Sequence, residues 1–282
     1  MAHDKKVLTV QDISCVGQCS LTVALPIISA CGIETAILPS AVLSTHTAGF
    51  TGYTFRDLTD DIPAIVDHWE KEGITFDAIY TGYLGSARQI ALVKDMFARL
   101  CAPDCIKITD PAMADGGKLY PCFDEAYAKE MATLCGKADI AIPNITEAAL
   151  MTDMPYIGAG YNEEYIRALM EKVLALGAKT VVLTGVCYKE NELGVAVLSR
   201  GDDKISYYFH ERLAKGCHGT GDIYASAFVG ALVRGKSPLA AAKIAADFTL
   251  AGMKATAGDD THWYGAKFEK ALPLLIKELD RS

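Results

Sequence analysis

Short runs rich in β-branched residues alternate along this chain with longer segments of helical spacing, and that alternation limits the fold more than any other feature. The runs are Lys6–Asp12, Glu34–Leu38, Phe76–Tyr83, Cys105–Asp110, Asp139–Pro143 and Thr180–Gly185. Each has the length of a strand buried on both faces. Residues 19–31, 59–72, 86–100, 123–136 and 162–177 lie between them with the apolar spacing of helices. A strand followed by a helix cannot pair through a hairpin, so the pattern predicts parallel strands joined by crossover helices. The expected fold is an α/β three-layer sandwich: a central, mostly parallel sheet with helices on both faces.

The rhythm changes near residue 190. Gly194–Ser199 and Lys204–His210 flank the turn-forming "RGDD" and predict a hairpin that extends one sheet edge. Helical spacing then runs almost to the end. No repeat, linker or low-complexity tract interrupts the chain, so one domain over 1–282 is expected. The stretch Ser40–Phe55 is polar and aromatic and too long for a tight connection, which points to a functional loop.

Hydrophobic residues make up 51% of the chain, ample for a core of this size, and the net charge of −8 argues against nucleic acid or an anionic membrane as main partner. The opening "MAHDKKVLTVQD" lacks the apolar stretch of a secretory signal. The most apolar region, Leu21 to Leu43, is broken by Pro26, Gly32, Glu34 and Pro39, unlike a membrane span. Nine cysteines occur without any Cys-x-x-Cys spacing, and the six histidines are dispersed. Buried free thiols in a reducing compartment are expected, not disulfides or a zinc cluster, and the location expected is the cytoplasm.

Two segments compete for a phosphate. "GALVRGKS" (residues 230–237) matches the P-loop pattern, but it follows a helix where a P-loop must follow a strand. Gly235 fits a helix C-terminus, Arg234 and Lys236 suit its negative end, and Ser237-Pro238 fits the start of the next helix. The better anion site is "KGCHGTGDIYASAF" (residues 215–228). There Gly219, Thr220 and Gly221 open a helix whose first amides lack partners, and Asp222 stands in the first turn. Asp222 could take a proton from an attacking hydroxyl, or merely cap the helix; the residues alone allow both.

Two further clusters add oxygen ligands. "TDPAMADGGKLY" (residues 109–120) sets Asp110 and Asp115 in a loop after a strand, and "IPNITEAAL" (residues 142–150) sets Asn144 and Glu147 three apart at a helix start. Asn144 and Glu147 alone form a capping box. Ligands in parallel sheets gather beyond the carboxyl ends of the strands, however, and oxygen donors arriving there suit Mg²⁺.

Together with "TVQD", "LSTHTAGF" and "TGYLGS", these segments make the chain resemble the pyridoxal (pyridoxine/pyridoxamine) kinases of the ribokinase-like superfamily over nearly its whole length. The resemblance implies a ribokinase-like fold, ATP-dependent phosphorylation of the 5′-hydroxymethyl group of a B6 vitamer, Mg²⁺, a stimulating monovalent cation such as K⁺, and a homodimer. It assigns Asp222 as general base and Gly219, Thr220 and Gly221 as anion hole. Asp110, Asp115, Asn144 and Glu147 would organise the Mg-nucleotide, Glu147 through metal-bound water, and Thr184 would contact the nucleotide phosphates. Thr47 and Tyr83, with His46 close by, would line the vitamin pocket.

Two departures stand out. Many relatives read Gln-Ser-His after the first strand, whereas Asp12 stands here at the serine position. Asp12 is expected to meet the polar edge of the pyridine ring. "CHGTG" at Cys217–Gly221 is similar to the hydroxymethylpyrimidine kinases, the nearest alternative function. A non-catalytic B6-binding protein is the other, and the intact set of Asp222, glycine loop and acids argues against it.

Overall fold

The computed structural model describes residues 4–281. The first half runs β1 (Lys6–Val16), α1 (Leu21–Ala30), β2 (Glu34–Thr45), β3 (Phe55–Asp57), α2 (Ile62–Lys71), β4 (Phe76–Thr81), α3 (Ala87–Arg99), β5 (Cys101–Thr109), β6 (Ala114–Asp115) and β7 (Lys118–Leu119). It continues with α4 (Glu125–Cys135), β8 (Ile140–Ala141), α5 (Ile145–Thr152), α6 (Glu163–Leu176), β9 (Thr180–Val186), β10 (Glu192–Ser199), β11 (Ser206–Glu211), α7 (Thr220–Val233), α8 (Pro238–Thr256) and α9 (Leu272–Asp280).

The main sheet has nine strands in the order β11-β10-β9-β8-β5-β4-β1-β2-β3. From β9 through β2 the neighbours are parallel, while β10, β11 and β3 are antiparallel additions at the two edges. Successive strand residues send side chains to opposite faces. Leu8 and Val10 therefore join the core beneath α2 to α6, and Val7 joins the core beneath α1, α7, α8 and α9. The same split separates Val181 and Leu183 from Val182 in β9. These two cores on either side of one sheet make the three-layer α/β architecture that the alternation predicts.

After β1 the chain moves to β2 on one side, then returns across β1 to β4 on the other. Strand order therefore reverses between β1 and β4. The crevice at that reversal, at the carboxyl ends of the strands, is where doubly wound sheets bind ligands.

The predicted loop Ser40–Phe55 is strand at both ends. β2 continues to Thr45 beside a lengthened β1, and β3 folds back on it with Leu43 opposite Phe55, so only residues 46–54 are a free connection. The ladder skips between Gln11 and Ile13, opposite Pro39 and Val42. Pro39 has no N–H to donate, which suits the irregularity there. Of the thiols, Cys31 and Cys135 are buried, but Cys15 and Cys122 are exposed and the rest lie between. The nine cysteines are free, yet mostly not buried.

"GALVRGKS" lies at the junction of α7 and α8. Gly235 has φ 89, and the Ser237 hydroxyl accepts the Ala240 N–H as N-cap with Pro238 at the first helical position. Arg234 donates to the Cys31 carbonyl at 2.9 Å, and Lys236 bonds the Arg281 carbonyl, so both cations are engaged away from any phosphate. Ser237→Ala should cost about 1 kcal/mol in denaturant unfolding, the usual worth of such a cap. It should leave nucleotide affinity unaltered, and weakened nucleotide binding would restore the P-loop reading.

Candidate active site

The site is built where β1, β4, β5, β8 and β9 end and α7 begins. Gly219 caps α7 with φ 74, and an added Cβ would stand 1.6 Å from the Gln18 carbonyl oxygen, so only glycine fits. Around Gly221 a Cβ would meet nothing within 4 Å, so this side of the turn is open. The first-turn amides of α7 have no intrahelical acceptor, and they carry the positive end of a 14-residue helix. Almost every residue from Ile223 to Ala231 is buried, which makes the helix a fixed platform.

Asp222 is held at this turn by the Ser20 backbone N–H, which donates to its Oδ2 at 2.9 Å. Burial lifts its carboxyl from the ordinary value to about 7; the Ser20 bond works against that rise, and the charge of Asp12 adds to it. Ser226 Oγ donates to the Asp222 carbonyl at 2.5 Å and so fixes the backbone behind it.

On the other side of the crevice, Glu147 is 3% exposed and rivets a loop to α5. Its Oε1 accepts the Met113 N–H at 3.0 Å and its Oε2 the Asn144 N–H at 2.9 Å. Asn144 Oδ1 accepts the Glu147 N–H at 2.9 Å, completing a capping box, and Asn144 Nδ2 donates to the Ala114 carbonyl at 2.8 Å. The predicted capping box is thus present, and it also ties the helix start to the 110–119 loop. Asp110 follows β5, with its amide on the Thr81 carbonyl and its Oδ1 accepting the Ala112 N–H at 3.1 Å. Asp115 is exposed and accepts the Gly116 N–H at 2.8 Å. Thr184 ends up beside Asn144 through a parallel bridge, with its amide on the Pro143 carbonyl at 2.9 Å.

Burial raises Glu147 to about 7. Asp110 is pushed well above the carboxylate range, first by burial and then by repulsion from Glu147 and Asp222. Among the described residues no lysine, arginine or histidine pairs with Asp110, Glu147 or Asp222. Among the described residues no three acids, cysteines or histidines lie close enough to hold a metal ion by themselves, so a divalent ion such as Mg²⁺ would draw on Asp110 together with nucleotide phosphates and water.

Nearby, the structure brings Asp12 close to His46 and Tyr83. Asp12 is 5% exposed; its Oδ1 accepts the Ser20 hydroxyl at 2.6 Å and its Oδ2 the Ser14 hydroxyl at 2.9 Å. His46 is buried with both ring nitrogens on backbone: Nδ1 accepts the Ala48 N–H at 3.2 Å, which leaves Nε2 to donate to the Tyr264 carbonyl at 2.7 Å. His46 therefore offers a ligand only its ring face, and it ties the 46–54 connection to the segment before α9. Tyr83 is half-buried, its hydroxyl 3.5 Å from Cys122 Sγ and its ring 5.5 Å from Phe123. Thr47 is exposed on the connection.

Sequence reasoning missed Ser20, Ser14 and Tyr80. Tyr80 lies in the run assigned to core strand β4, yet its hydroxyl is buried between Asp110 and Asp222 without a hydrogen-bond partner, near Gln11 and Ser226 but at hydrogen-bond geometry to neither. A tyrosine one residue before the end of a buried strand, next to the crevice, is the signal that could have drawn attention to it.

A family model for phosphomethylpyrimidine kinase matches residues 29–264. The chain belongs to the phosphomethylpyrimidine kinase family. A Bacteroides thetaiotaomicron protein named for these kinases, solved in a crystal form with pyridoxal, superposes with a TM-score of 0.91 at 37% identity over 97% of this chain and 96% of that one. Pyridoxal kinase from Lactobacillus plantarum superposes with a TM-score of 0.89 at 28% identity over 97% of both chains. The pyridoxine/pyridoxal/pyridoxamine kinase of Bordetella bronchiseptica is 27% identical over 255 residues, 85% of each chain. The resemblance to the vitamin B6 kinases of the ribokinase-like superfamily therefore holds, alongside the pyrimidine kinases whose name the family carries.

Within the phosphomethylpyrimidine kinase fold, the Gly219 turn leaves no room for substitution. Gly219→Ala adopts a left-handed backbone that costs roughly 1–3 kcal/mol before the clash with Gln18 is counted. It should lower the unfolding midpoint and abolish phosphoryl transfer together. A variant of wild-type stability and turnover would contradict this account of the turn.

Proposed function

We propose that this protein transfers the γ-phosphoryl group of ATP to the 5′-hydroxymethyl oxygen of pyridoxal, pyridoxamine or pyridoxine. The observation that carries the reading is Asp222: a carboxylate raised to about 7, one oxygen held by the Ser20 amide, beside the unpaired amides of Gly219, Thr220 and Gly221. In this reading the vitamin oxygen bonds to the γ-phosphorus as the bond to the β,γ-bridging oxygen breaks. The hydroxyl proton passes to Asp222, and ADP leaves. The Gly219–Gly221 amides stabilise the negative charge on the transferred group.

Asp110 belongs to the metal side, and Glu147, with both oxygens already on amides, reaches the ion through water. A bound Mg²⁺ supplies charge neutralisation for the nucleotide phosphates. Asp115, Asn144 and Thr184 belong to the nucleotide side, and Thr47, Tyr83 and His46 to the vitamin side. Single-domain organisation, a homodimer, stimulation by K⁺ and a cytoplasmic location form part of the same reading, the last supported by nine free cysteines. Among the described residues no helix is long and apolar enough to cross a membrane.

A second reading, phosphorylation of a hydroxymethylpyrimidine, draws on the family match and on "CHGTG". It keeps the same base and anion hole and changes only the acceptor.

The base must be deprotonated to act, so kcat/KM should rise about tenfold per pH unit to about pH 7 and level off above it. Asp222→Asn should lower kcat by ~10²–10⁴-fold and remove that limb from the residual rate. Glu147 is also raised to about 7, so a limb that survives Asp222→Asn would belong to Glu147 and contradict the role given to Asp222.

A further inference from the structure

Ser20 has φ 56 and ψ −134, a backbone region that glycine favours and serine rarely enters. It occupies the N-cap position of α1, where its hydroxyl would ordinarily accept an amide of the first turn. No such cap forms. The hydroxyl donates instead to Asp12 Oδ1 at 2.6 Å, and Asp12 is braced by the Ser14 hydroxyl on its other oxygen at 2.9 Å. The Ser20 carbonyl accepts the Val23 and Ala24 amides, which pins the other side of the residue. What the strain achieves is the direction of one N–H: it donates to Asp222 Oδ2 at 2.9 Å, across 202 positions of sequence.

We propose that Asp12 and Ser20 form a clamp that positions Asp222. Asp12 fixes the Ser20 hydroxyl, the hydroxyl fixes a strained peptide, and that peptide holds one carboxylate oxygen, so that the other takes the proton. Asp12 is then a positioning residue acting through Ser20, in place of the ring contact expected from the sequence. It suits the acid that stands where many relatives have serine: a carboxylate offers two separate oxygens, one for the Ser14 hydroxyl and one for that of Ser20, where a serine offers one. The catalytic part of this inference rests on the kinase reading; the clamp itself does not.

Two measurements on the full chain test it. Hydrogen exchange resolved at the Ser20 amide should show protection in the parent and its loss in Asp12→Ala and in Asp222→Ala, which removes the acceptor. Unchanged protection in Asp12→Ala overturns the clamp whether or not the protein proves to be a kinase. In steady-state kinetics Ser20→Ala and Asp12→Ala should lower kcat by up to ~10²-fold, the scale of a misplaced catalytic group, with vitamin KM little changed. Asp12→Asn keeps an acceptor for the Ser20 hydroxyl and should regain most of that loss. A change in KM and vitamer ranking with kcat intact would instead make Asp12 a ring contact and overturn the proposal. Should Asp12→Ala fail to fold, Ser20→Ala, which removes the same hydroxyl bond to Asp12 and keeps the strained backbone, carries both measurements. A parent that phosphorylates none of the vitamers contradicts the kinase reading and leaves exchange at residue 20 to decide the clamp.

Discussion

Four carboxylates, Asp12, Asp110, Glu147 and Asp222, converge within the crevice, and among the described residues no lysine or arginine pairs with any of them. Burying even one such charge costs several kcal/mol unless it is hydrogen-bonded or paired. Each acid here is therefore held by amides or hydroxyls; burial raises the pKa of all four, and repulsion from neighbouring acids adds to the rise at Asp110, Glu147 and Asp222. The surrounding local structure follows from this constraint. The capping box of α5, the turn after β5 and the strained peptide at Ser20 all exist as donors to these carboxylates.

The sheet explains why they meet. The acids or their supports follow β1, β5 and β8, and Asp222 joins them from the first turn of α7. Reversal of strand order between β1 and β4 opens the crevice where two crossover directions diverge. Two cores, one on each face, hold the strand ends rigid, so the acids cannot relax apart.

Much of this was legible from residue order. The alternation of β-branched runs with helical spacing is a direct consequence of burying a parallel sheet on both faces, so it predicts the layers. The Asn144–Glu147 spacing and the glycines before Asp222 are local chemistry and appear where expected. The P-loop match at residues 230–237 is also resolved locally, by Gly235 and the Ser237-Pro238 start. What stayed hidden depends on distant contacts. The extension of β2 to Thr45 needs β1 and β3 as partners, and a polar stretch such as Ser40–Thr45 carries no hint of them. Ser20 draws no reading from the sequence, because nothing in "QCSL" reveals that Asp12 takes its hydroxyl and Asp222 its amide. His46 reads as a pocket residue, and only the fold brings the Tyr264 carbonyl to its ring.

The central claim is chemical: this crevice phosphorylates the hydroxymethyl group of a B6 vitamer. The most direct measurement incubates purified protein with ATP and Mg²⁺ and, in separate reactions, pyridoxal, pyridoxamine, pyridoxine or hydroxymethylpyrimidine. Mass spectrometry then identifies the phosphorylated product. The account predicts the 5′-phosphate of at least one B6 vitamer, formed with one ADP per product. Phosphate appearing only on the pyrimidine, or on none of the four from folded protein, would contradict it.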